Sequence, residues 1–153
     1  LISFLYASGL RRMEVVKVKL SDIDFDQKTL LVRQGKGKKD RITILSNSLI
    51  SEIKDYLKTR NTKNEFLFAT RNKHMNPRTV ESIIKQACKK AGITKNISPH
   101  SLRHSFTTHH MALGTKTEYI QEMLGHKDIR TTRGYERISK THLLNIKHPH
   151  DML

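Results

Sequence analysis

The 153-residue sequence predicts a mostly α-helical domain of the α+β class, with one small antiparallel β-sheet. Three observations predict it. Apolar residues recur at helical spacing over most of the chain, strand-like runs are confined to residues 23–45, and Gly, Pro, Ser and Asn signals fall where one pattern gives way to the other. The length matches one domain, and 1–153 is taken as a single unit.

From Leu1 to about Leu20 the apolar positions fit two short helices, broken at Ser8-Gly9, where Gly ends one helix and Ser is a start signal. Ile23-Asp24-Phe25, Thr29 to Arg33 and Arg41 to Leu45 then read as three strands, the last two joined by a turn containing Gly35 and Gly37. Helical spacing returns after Ser46-Asn47, with Leu49, Ile50, Ile53, Tyr56 and Leu57 on one face through about Arg60. A polar loop and the apolar patch Phe66-Leu67-Phe68 follow. Asn76-Pro77 opens a helix carrying Val80, Ile83, Ile84 and Ala87, which Gly92 ends. Further helices are expected from Pro99 to about Leu113, from Lys116 to about Leu124, and over Lys140–Ile146.

Composition narrows the function. Hydrophobic residues make up 36% and charged residues 28%, the balance of a folded globular chain. Twenty-nine Lys and Arg against 14 Asp and Glu leave a net charge of +15, so the natural partner is a polyanion. Nucleic acid fits that charge; an anionic membrane surface or a ribosomal position fits it too. The lone Cys88 excludes a disulfide within the chain and reads as a small buried side chain. No run reaches the length of a membrane span and no secretion signal is visible, so the expected location is the cytoplasm. The chain opens on an apolar helical stretch with neither Met nor N-cap, and reads as a piece of something longer.

Four constellations carry potential chemistry. In Ser98-Pro99-His100-Ser101-Leu102-Arg103, an N-cap Ser and an N1 Pro place His100 and Arg103 in the first turns, three apart on one face. Helix N-terminus, guanidinium and imidazole together suit a phosphate, although a solvated basic face fits the same residues. In Gly9-Leu10-Arg11-Arg12-Met13-Glu14, Arg11 follows a helix break and Glu14 lies three residues on, which an intrahelical ion pair also explains. The turn Gly35-Lys36-Gly37-Lys38-Lys39-Asp40-Arg41 projects lysines from a flexible tip, toward solvent or toward a DNA groove and a developing alkoxide. Leu124-Gly125-His126 ends a helix, and Tyr135 follows nine residues later; either residue alone is ordinarily structural.

Taken in order, Gly-Leu-Arg-x-x-Glu, Gly-Lys-Gly-x-Lys-x-Arg, Pro-His-x-Leu-Arg-His, Leu-Gly-His and Thr-Thr-x-x-Tyr resemble the signature boxes of the tyrosine recombinases, the phage-integrase family, over nearly the whole chain. The resemblance extends to phage and mobile-element integrases and to Xer recombinases alike. It implies the catalytic-domain fold of that family and a site-specific enzyme that cleaves and rejoins DNA through a 3′-phosphotyrosyl intermediate. Arg11 and Arg103 would clamp the scissile phosphate with His100 and His126, Lys36 would protonate the departing 5′ oxygen, and Tyr135 would attack phosphorus. Glu14 would support its neighbours. Arg12 beside Arg11 is a second arginine that could take the phosphate, but the Gly9-Leu10 register and Glu14 favour Arg11.

The resemblance further implies double-stranded DNA as partner, a homo-oligomer that is a tetramer in the synaptic complex, accessory DNA-binding proteins, and no metal, ATP or other cofactor. It also implies an N-terminal clamp domain, which is absent from 1–153. Residues 140–146 would dock on a neighbouring subunit or fold onto their own core. Two other readings share part of this pattern. A basic DNA-binding module accounts for the charge but needs no Tyr after Leu-Gly-His, and a type IB topoisomerase shares the chemistry but acts as a monomer without site choice.

Overall fold

The computed structural model describes residues 1–33, 40–70, 73–125, 143 and 145–153. In chain order these form α1 (Ile2–Ser8), α2 (Arg12–Val15), a 3-10 turn (Leu20–Asp22), strands β1 (Ile23–Asp24), β2 (Thr29–Val32) and β3 (Arg41–Ile44), and α3 (Asn47–Thr59). Strands β4 (Ala69–Thr70) and β5 (Lys73–His74), then α4 (Pro77–Lys90), α5 (Pro99–Ala112), α6 (Thr117–Leu124) and a second 3-10 turn (Pro149–Met152) complete them. The mostly helical α+β class expected from the sequence is the observed one.

The three-stranded sheet is antiparallel in the order β1-β2-β3, with Leu30 opposite both Ile23 and Thr43, and Val32 opposite Arg41. Thr29, Leu30 and Val32 of the central strand are buried, as a strand covered on both faces requires. Local sequence explains the helix starts. The Ser46 hydroxyl accepts from Leu49 N–H at 3.0 Å, and the Asn76 side chain accepts from Arg78 N–H at 2.9 Å ahead of Pro77. Ser98 and Ser101 cap each other at the head of α5.

Two apolar clusters build the interior. The larger packs α1, α2, β1, β2, α3 and α4 around Phe4, Leu5, Leu10, Leu30, Leu49 and Leu67, with Phe4 edge-on to Phe68 at 5.3 Å. The smaller gathers Ile44, Phe106, Ile120, Met123, Leu124 and Leu143, and Ile146 packs against it. Leu143 and Ile146 therefore join their own core; residues 140–142 and 144, the rest of the expected tail helix, lie outside the described residues.

Several expectations are corrected. The second helix runs only over Arg12–Val15 rather than to Leu20, because Lys17 and Val18 pass into an extended stretch whose Val18 carbonyl accepts from Leu67 N–H. The patch at Phe66-Leu67-Phe68 leads into an unanticipated hairpin, β4–β5, too short to show period-2 alternation. Cys88 is half-buried rather than buried.

His110 of α5 is fully buried against Phe106 and His148. His148 is buried as well: its Nε2–H donates to the Ala7 carbonyl at 2.8 Å and its Nδ1 accepts from His150 N–H at 3.1 Å, which together require the neutral ring. Burial pushes His110 down to about 3 and His148 down to about 4.

Because both imidazoles take up protons less readily folded than unfolded, their contribution is present above the ordinary value of about 6.5 and is lost as pH falls below it. The melting temperature followed by circular dichroism is therefore expected to drop by about 3–8 °C between pH 7 and pH 4.5. His148→Gln, which keeps a donor for Ala7 but cannot ionise, should reduce that drop; an unchanged pH dependence would refute the assignment.

Candidate active site

The site is assembled where α1 ends, α2 begins and the C-terminus of α6 meets α5. Gly9 makes the junction possible. It ends α1 with φ 62°, and a Cβ placed on it would lie 2.8 Å from Phe106 Cδ1 and 3.0 Å from Leu124 Cδ2. Its bare backbone thus lets three helices converge, and its carbonyl accepts from Arg103 Nη1 at 2.6 Å. Arg103 Nη2 donates to the Leu124 carbonyl at 2.8 Å, so the guanidinium also caps the negative end of α6.

Glu14, with its side chain only 8% exposed, organises the charges around Arg103. Its Oε1 and Oε2 receive Arg41 Nη1 and Nη2, each at 2.8 Å, a fork-on-fork pair. Oε1 also receives Arg11 Nη1 at 2.9 Å, and Oε2 the Arg11 backbone N–H at 2.8 Å. Burial alone would raise the Glu14 carboxyl, but the Arg41 hydrogen bonds and those of the Arg11 backbone and side chain outweigh it and hold it at about 2. For Arg103, burial is the leading influence and the like charge of Arg11 the next, with Arg41 adding to them and Glu14 opposing; the group falls to about 10 and stays protonated at neutral pH. Such a cluster of preorganised guanidinium groups with half-exposed Arg11 at its rim can receive an oxyanion.

Of the residues singled out from sequence, Arg11, Glu14 and Arg103 come together. Arg12 points away from them and pairs with Glu81 of α4. His100 is exposed in the first turn of α5, while Arg103 turns inward, so the expected common face is divided. Residues three apart on a helix still differ by about 60° around its axis, enough to straddle a boundary between core and surface. Lys36, His126 and Tyr135 lie outside the described residues. Arg41 was missed as a site residue: it stands at the head of a strand, where alternation says nothing about a side chain reaching across to another helix. No group of three or more His, Cys, Asp or Glu among the described residues could hold a metal ion, and no described helix is long and apolar enough to cross a membrane.

Residues 1–142 match the Phage integrase family. The chain is 40% identical over 147 residues to the tyrosine recombinase XerA of Pyrococcus horikoshii, covering 94% of this chain and 51% of that protein. It is 35% identical over 150 residues to the tyrosine recombinase XerD of Staphylococcus saprophyticus, covering 94% and 50%. The crystal structure of XerA recombinase superposes with a TM-score of 0.76 at 37% identity, over 82% of this chain and 47% of that one. The XerH site-specific recombinase bound to difH substrate in a pre-cleavage complex gives 0.65 at 25% identity, over 83% and 38%. The chain spans about half the length of the curated relatives it matches.

Removing the Glu14 charge should be costly out of proportion to its size. Glu14→Gln leaves Arg41 buried without a counter-ion and is expected to lower stability in urea by about 3–5 kcal/mol at pH 7. Because the native carboxyl sits near 2, below its ordinary 4.5, the stability it contributes is present above pH 4.5 and lost as pH falls toward 2. The gap between wild type and Glu14→Gln should accordingly narrow below pH 4; a constant gap would show that the charge is not what matters.

Proposed function

Since the chain belongs to the phage integrase family, we propose that it works as the catalytic part of a tyrosine recombinase, cutting and rejoining double-stranded DNA through Tyr135. The observation that carries the reading is the arrangement of Arg11 and Arg103 beside one shared carboxylate, Glu14, at the mouth of the α1–α2 break. In the reaction Tyr135 gives its phenolic proton to solvent as its oxygen attacks phosphorus, the bond from phosphorus to the 5′ oxygen breaks, and Lys36 gives that oxygen a proton. The 3′-phosphotyrosyl bond keeps the diester energy, so a free 5′-hydroxyl can reverse the step on another strand without ATP.

The roles follow from charge. Attack places extra negative charge on the non-bridging oxygens, so Arg11 and Arg103, with His100 and His126, stabilise the transition state more than the bound diester. A phenol with an ordinary pKa of about 10 needs a strongly cationic surround to become a nucleophile near neutral pH, and the clustered guanidinium groups provide one. The net charge of +15 suits the DNA backbone itself. Exchange between two duplexes requires several copies, so we assign a tetramer on DNA as the working assembly, with accessory DNA-binding proteins as further partners, in the cytoplasm where the DNA is. An N-terminal clamp domain closing the far side of the duplex completes that assembly, and 1–153 acts as its catalytic domain.

The test is covalent capture. Incubated with nicked suicide duplex, the chain should yield a protein–DNA adduct in denaturing gels, and Tyr135→Phe should yield none; an adduct in that variant would sink the nucleophile assignment. Lys36→Ala should bind DNA but cleave slowly, with the rate restored by a 5′-bridging phosphorothiolate, whose sulfur leaves without a proton. Arg103→Ala should lose about 100-fold or more in cleavage.

A further inference from the structure

Arg41 is a closely confined cation of the site, and the reaction scheme above leaves it unused. Its side chain is 7% exposed, and all three of its nitrogens are engaged. Nη1 and Nη2 grip Glu14 of α2, and Nε donates to the Met123 carbonyl of α6 at 2.8 Å. The next carbonyl, that of Leu124, is the one Arg103 holds, so two guanidinium groups fix successive carbonyls at the end of α6. Gly125 lies against the same side chain: with φ +65°, it would bring a Cβ within 2.8 Å of Arg41 Cδ and 3.3 Å of Nε. Gly125 immediately precedes His126, and Arg41 closes the sequence segment that contains Lys36.

We propose that Arg41 is a positioning residue for strand cleavage, a buried fork that sets Arg11 through Glu14 and sets the α6 terminus through Met123 without touching DNA. The inference rests on the recombinase reading above. Its physical basis is the planar geometry of guanidinium: a bidentate carboxylate contact and a third N–H aimed along the edge fix three elements relative to one another, which a single ammonium point cannot do. A buried ion pair is a weak device for stability, since apolar side chains of equal volume serve as well, so its orienting capacity is the feature that distinguishes it. The Glu14 carboxylate is faced by Arg11, Arg41 and Arg103, and it borders a groove lined also by Lys17, Lys19, Asp22, Arg33 and His74. Loss of the Arg41 fork therefore leaves the carboxyl with burial raising its proton affinity and less to oppose it.

Arg41→Lys is the informative variant, because it keeps the charge and removes the fork. Single-turnover cleavage of saturating nicked suicide duplex should fall by about 100-fold, with duplex affinity changed little, as expected when reacting groups are displaced rather than lost. The loss should deepen as pH is lowered from 8 to 5, and the Glu14 carboxyl carbon, assigned by comparison with Glu14→Gln in 13C NMR, should titrate at higher pH than in the wild type. A purely structural Arg41 would lower the melting temperature but leave the pH profile parallel and the Glu14 titration in place. Either of those outcomes, or full cleavage by Arg41→Lys, overturns the inference while wild-type adduct upholds the parent reading. A wild type that forms no adduct overturns the recombinase reading, and the role of Arg41 in cleavage with it.

Discussion

The Glu14 carboxylate is the constraint on which the site depends. It is buried and charged at once, a combination that water-free surroundings oppose strongly unless every lone pair is met. Arg41 and Arg11 meet them with four hydrogen bonds, one from a backbone N–H that is also the first turn of α2. The same carboxylate thereby caps a helix, anchors the head of β3 and orients the arginine at the rim. The Thr43 hydroxyl of β3 adds a second tie between the α1–α2 break and the sheet, donating to the Ser8 carbonyl at 3.3 Å.

Helix ends do the remaining work. A four-residue helix such as α2 has almost no internal hydrogen-bond ladder, and it persists because Glu14 occupies its start and its buried Val15 packs into the larger cluster. The C-terminus of α6 is the mirror case, its carbonyls turned to two cations. Gly9 and Gly125 stand at the ends of α1 and α6, both with left-handed backbones and both within contact distance of side chains that a methyl group would displace. Glycine is thus required twice for the same reason: a site made of helix termini needs the backbones to come nearer than side chains permit.

Much of this was legible in the sequence because it is encoded locally. The three strands, the caps at Ser46, Asn76 and Ser98, and the break at Gly9 follow from spacing and from residue-specific backbone preferences, and the structure keeps them within a residue or two. Arg11, Glu14 and Arg103 were legible through motif order. What escaped was non-local. Arg41 acts across 82 residues on Met123 and 27 on Glu14, and no periodicity reports such reach. The burial of His110 is equally non-local, since His148, which packs against it, lies 38 positions later. The β4–β5 hairpin has two residues per strand, fewer than alternation needs to be seen.

The presence of arginine at the floor of the site has an electrostatic reason. Burial and neighbouring cations bring Arg103 from 12.5 to about 10, and it remains charged at neutral pH. A lysine in the same place would begin lower, near 10.4, and the same burial and cations would push it further toward losing its proton. The oxyanion developing on phosphorus would then meet a partly neutral donor. For the group that must protonate the leaving oxygen the requirement is reversed: an arginine holds its proton too firmly to release it, whereas an ammonium lowered by cationic neighbours releases it readily. Under the recombinase reading, arginine thus suits Arg11 and Arg103, which keep their protons, and lysine suits Lys36, which gives one up.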